Sequence, residues 1–229
     1  MKFIGSALVL VFLFARHGTA QTVKPAYPGM APLPQYLMPR DAEISLARSA
    51  APKSISDDAA ILILTKSGYQ TPVGGTNGFV CMVARSWSAG FDDPDFWDPR
   101  LRAPICYNAL AAKSQVAATI KRTQVVLAGG SKAQIVDSIK AAIDSGELPT
   151  AQAGSMSYML SRDEYLSNRD GRWLPHVMLF VPETDPKSWG AGPPESPILG
   201  FHLPEEHLTV FVIPVRKWSD GTLATSKEH

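Results

Sequence analysis

Only two cysteines occur in the 229 residues, Cys81 and Cys106. Two thiols cannot close a zinc site, and they allow a single intramolecular pairing. No Asn-x-Ser/Thr sequon is present, so glycosylation gives no clue. The familiar catalytic signatures are missing as well. Gly154-Ser155-Met156-Ser157 lacks the spacing of a G-x-S-x-G elbow. There is no P-loop, no dinucleotide glycine fingerprint and no His-Glu-x-x-His. No cofactor is implied. Excess charge is also lacking: 22 Lys+Arg face 21 Asp+Glu, for a net charge of +1. Near-neutrality leaves no electrostatic footprint for nucleic acid. Hydrophobic residues make up 45% of the chain, which is enough for a packed core and argues against global disorder.

The one long apolar run is at the start. Lys2 precedes Ala7 to Phe14, an unbroken apolar stretch, and Gly18-Thr19-Ala20 offers small residues for cleavage before Gln21. This is the pattern of a signal peptide over residues 1–20. A membrane span needs about 20 apolar residues, and Arg16-His17 interrupts the run too early. Cleavage would leave 209 residues at a net charge of −1, exported to a periplasm or secreted, with no stable membrane anchor. In such an oxidising compartment Cys81 and Cys106 read as a disulfide, the alternative being two buried thiols.

Residues 21–40 form a proline-rich extended leader, with five prolines by residue 39. Residues 41–229 read as a single α+β domain. Asp41 can cap a short helix to Ala50. Strands are expected at 59–65, 69–73 and 79–86, the last two joined by a hairpin turn at Asn77-Gly78. By the period of two, Phe79, Cys81, Val83 and Arg85 share one face. Residues 87–107 are irregular and rich in aromatics. Asn108 caps a helix to about Leu127, and Ser131 to Gln134 is a capping box opening a second helix that ends at Gly146. Strands follow at 156–160, 176–181 and 208–213, with a helical turn at 161–167 and a loop of six prolines at 182–206. The expected architecture is an antiparallel sheet of about five strands covered by two main helices, those of residues 108–146.

Three constellations could carry chemistry. His202-Leu203-Pro204-Glu205-Glu206-His207 holds two imidazoles and two carboxylates, but the five-residue spacing and Pro204 do not suit helical metal ligands. It reads better as a solvated acidic turn. Asp92, Asp93, Asp95 and Asp98 could hold calcium, yet lack the EF-hand glycine. They read better as turn residues paired with Arg100 and Arg102. No metal site is assigned. His176, at the start of a buried strand, is the best candidate catalytic residue. If two strand ends meet, Arg85, Trp87, Arg172, Trp173 and His176 line a pocket for a planar or anionic small molecule. The bland alternative is a hydrogen-bonded core histidine among packed aromatics.

The stretches Asn77-Gly78-Phe79-Val80-Cys81, Arg85-Ser86-Trp87, Phe91-Asp92-Asp93-Pro94, Phe96-Trp97 and Val215-Arg216-Lys217-Trp218 resemble a group of uncharacterised exported bacterial proteins with no established activity. That resemblance implies export and one domain, and no functional residue. The favoured function is a non-enzymatic module binding a small ligand or a protein partner. A hydrolase-like enzyme using His176, with Glu183 or Asp185, and a metal-stabilised structural domain are the alternatives.

Overall fold

A computed structural model describes residues 27–192 and 195–225. The signal-peptide reading falls on residues outside that description. The strands are β1 (Ala60–Thr65), β2 (Gly68–Val73), β3 (Val80–Ala84), β4 (Ala103–Tyr107), β5 (Ser155–Met159), β6 (His176–Pro182), β7 (Leu199–Leu203) and β8 (Leu208–Pro214). They form one sheet in the order β2-β1-β3-β4-β5-β6-β8-β7. The class is α+β, but the expected five antiparallel strands under two helices are corrected. The sheet has eight strands and is mixed, because β1 and β3 run parallel.

That parallel pair also corrects the hairpin expected at Asn77-Gly78. β1 and β2 form the hairpin, and β3 joins the opposite side of β1. The connection from β2 to β3 therefore crosses the start of β1. It is held there by Thr76 N–H donating to Asp58 O at 2.8 Å and Ala60 N–H donating to Phe79 O at 2.9 Å. Gly75 makes the crossing possible, since a Cβ there would lie 2.1 Å from the Ala60 nitrogen.

Helices cover both faces of the sheet, not one. The first is α1 (Arg40–Arg48), followed by a single turn, α2 (Lys53–Ser56). A longer helical stretch comprises α3 (Ala109–Ala111), a π-helical segment (Ala112–Val116) and α4 (Ala117–Leu127), and α5 (Lys132–Asp144) closes the set. Ala47 of α1 packs with Ile61, Ile63, Cys81, Val83 and Cys106 on one face. On the other, Ala111 and Val116 meet Met82, Ile105, Phe180 and Val210, while Val126, Ile135 and Ile139 pack on Leu64 and Trp87. Each face satisfies an apolar stripe that would otherwise meet water.

The caps of the long helices follow the sequence. Asn108 accepts from Ala111 N–H at 2.9 Å, and Ser131 and Gln134 exchange the two bonds of a capping box. Gly146 follows α5 at φ 77, as a C′ glycine does. Five expectations fail. Residues 87–107 are not all irregular, since β4 closes that stretch. Asp41 does not cap α1, which starts at Arg40 behind Pro39. Residues 161–167 carry turns and isolated bridges rather than a helical turn. Residues 182–206 are not all loop, since β7 lies among them. Nor is the proline-rich leader outside the core. Tyr36 is fully buried, donating to Trp97 O at 2.6 Å and receiving a bond from Ala31 N–H.

Candidate functional site

The five residues expected to share a pocket divide into two places. β3 and β6 are separated by β4 and β5, so their ends stand three strand spacings, about 14 Å, apart. Arg85 is buried at the first place, where its Nη2 donates to Glu43 Oε1 at 2.8 Å with both side chains fully enclosed. Arg85 Nε donates to Tyr36 O at 2.8 Å, and another nitrogen reaches Val83 O. Glu43 Oε1 also accepts from Leu64 N–H at 3.0 Å, beyond the point where β3 stops pairing with β1. This ion pair ties α1 to both strands. Trp87 is fully buried beside it, with its indole donating to Thr123 Oγ1 at 2.9 Å. Both side chains are enclosed by the protein.

At the second place Arg172 and Trp173 are half-buried. The Arg172 and Arg162 guanidiniums lie 5.6 and 5.1 Å from the ring centre of buried Trp218. His176 is 3% exposed, packs 5.8 Å from the Trp173 ring, and has its Nδ1 2.8 Å from Leu174 O. Burial lowers its pKa, against the pull of that carbonyl, which favours a neutral ring. Glu183, one of its two expected acid partners, contacts His202 and His207 instead. A second buried titratable group at this corner is Glu164, which sequence reasoning missed. Its Oε1 accepts from Trp173 N–H at 3.0 Å, and its Oε2 has no partner. Burial pushes its pKa up to about 8, although the Trp173 N–H and Arg172 pull the other way.

The acidic loop is a structural staple. Asp98 is fully buried and takes two bonds from the Arg100 side chain, at 3.1 and 2.7 Å. Asn168 Nδ2 bridges Asp98 and Asp95 at 2.7 and 2.6 Å. Burial opposes ionisation of Asp98, but the bonds from Arg100 and Asn168 win and hold its pKa low. Arg102 does not join these acids. It donates to the carbonyls of Pro99, Leu101 and Gln35. Among the described residues no three His, Cys, Asp or Glu side chains are arranged to hold a metal ion. Cys81 and Cys106 are register partners on β3 and β4 and are joined by a disulfide.

A groove of about 480 Å³ lies where β2 extends past the start of α1. Leu37, Met38 and Ile63 give it apolar walls, Thr71 a hydroxyl, and Arg40 and Lys66 its charge; no acid lines it. The size falls within the range of small-molecule sites. β2 is an edge strand, paired only with β1. Pro72 is the sequence signal for that edge position, since a proline cannot donate to a ladder. The class defined here is therefore an α+β domain with a mixed, two-sided sheet, a buried ion pair at the end of β3 and an open cationic groove at one edge. No protein-family model, curated protein or solved structure matches the chain.

Proposed function

We propose that the protein is an exported, non-enzymatic binding module whose ligand is a small amphipathic anion held in the groove beside β2. The observation carrying this reading is the combination of apolar walls with Arg40 and Lys66 and no carboxylate in a cavity of ligand size. An apolar body would rest on Leu37, Met38 and Ile63, and its anionic group would meet the two bases. Arg40 is also 3.2 Å from exposed Asp41, so it would exchange one carboxylate for another. Export is supported by the Lys2 to Ala20 pattern and by the disulfide. Among the described residues no helix is long and apolar enough to cross a membrane.

The test uses 1-anilinonaphthalene-8-sulfonate, an apolar planar anion, titrated against the full chain and followed by fluorescence. Saturable one-site binding is expected. Lys66→Glu and Arg40→Glu should each weaken it about threefold to fivefold, the scale of an exposed charge pair. Non-saturable binding, or variants that bind as the parent does, would sink the reading.

A further inference from the structure

The stretch from His202 to His207, set aside above as a solvated acidic turn, converges with carboxylates from two other elements. His202 Nε2 lies 2.8 Å from Glu183 Oε1, and His207 Nδ1 lies 3.2 Å from Glu183 Oε2. His207 Nε2 lies 3.3 Å from Asp144 Oδ1 at the C-terminal end of α5. Both ring nitrogens of His207 thus face carboxylate oxygens. A neutral imidazole carries one N–H and can serve only one of them; an imidazolium serves both. A cation at a helix C-terminus is favoured by the helix dipole as well.

The backbone points the same way. His207 has φ 48 and is the one non-glycine residue with positive φ among those described. A left-handed conformation disfavoured for a histidine holds the ring between its two partners. The surrounding groups come from every packed element. Lys140 of α5 is 3.6 Å from the other Asp144 oxygen. Glu205 stands in the turn before His207, and Glu206 of that turn is held by Arg122 of α4. Glu147, just beyond α5, is paired with Lys121. The balance near His207 is acidic, with Asp144, Glu183 and Glu205 against Lys140.

We infer that His207 is a proton-operated clasp: as an imidazolium it ties the excursion between β6 and β8, including β7, to the end of α5, and loss of its proton loosens that excursion. Hydrogen bonds from His202 and His207 hold the Glu183 pKa low, consistent with donors on both sides of its carboxylate. Acidification closes the clasp, because only the protonated ring can donate to Glu183 and Asp144 at once. It weakens again only when the carboxylates take up protons, below about pH 4. Opening would bare the backbone edge of β8 at Val210 and Phe211, the register partners of Phe201 and Gly200.

Amide exchange of Leu199–Leu203, measured on the full chain from about pH 5.5 to 8 and corrected for intrinsic rates, tests this. Protection should fall severalfold as pH rises across that interval. His207→Asn suits the left-handed backbone, and should give a flat profile at the open-state level. Asp144→Asn, at an exposed helix end, should reduce the pH dependence while leaving far-UV circular dichroism unchanged. Protection that does not vary with pH in the parent, or a dependence that survives both substitutions, would overturn the clasp.

Discussion

A carboxyl group kept neutral inside a fold makes stability depend on pH, and Glu164 is such a group. Its folded pKa of about 8 lies above the 4.5 of an ordinary glutamate. The folded state therefore holds a proton that the unfolded state releases between those values. The associated stability is full below about pH 4.5 and is lost as pH rises through about 8, with a slope approaching ~1.4 kcal/mol per unit in between. His176 acts oppositely. Its pKa is lowered, so its contribution is present above the unfolded histidine value and lost as pH falls. Glu164→Gln keeps an oxygen for the Trp173 N–H and removes the first effect. In urea denaturation the variant should gain a few kcal/mol over the parent at pH 8 relative to pH 5. An equal difference at both pH values would show that Glu164 is not held neutral. Arg85 was more legible than Glu164. It shares a face with Cys81 and Val83 by the alternation, although the expectation drawn from it was a ligand pocket rather than burial. Its acid, Glu43, lies one turn before Ala47 on the buried stripe of α1. What misled was taking a strand end for a pocket: a period of two fixes the face a side chain points to, not what covers that face.

At the scale of elements, the long helices were legible because their caps are local chemistry. Asn108 and Ser131 act within three residues of themselves. β4 and β7 were not. β4 is five residues long and contains Pro104, which donates nothing to a ladder, and its pairing to β5 begins only at Cys106. β7 sits in a proline-rich stretch and contains Gly200, needed because a Cβ there would come 2.5 Å from Pro186. The parallel β1–β3 pair could not be read either. Asn77-Gly78 signals a turn correctly, but a turn does not say which strand the chain meets next. Gly75 now marks that choice. Gly75→Ala should cost about 3 kcal/mol, the upper range for overpacking against unyielding backbone, read as a lower denaturant midpoint at unchanged slope. A neutral outcome would mean that the connection does not need its close approach to Ala59 and Ala60.

For the whole molecule, the two cysteines reached the right answer through elimination: one possible pair, in a chain bearing an export pattern. Both are fully buried, so the bridge resists reductant until the sheet opens. Replacing both by alanine should cost about 3.5 kcal/mol, the chain-entropy value for a separation of 25 residues. Chemical denaturation with and without the substitutions checks this; no loss of stability would mean that the antiparallel β3–β4 pairing alone supplies the constraint.

The same bridge changes what a break in the chain does. It joins β3 to β4 directly, so the segment bearing Trp87, Phe96 and Trp97 is a covalently closed ring. Arg100 is exposed on that ring. A tryptic cut after it would make two polypeptides that still travel as one molecule on a denaturing gel. They would separate only when thiol is added, so a nick within the ring leaves its two pieces joined.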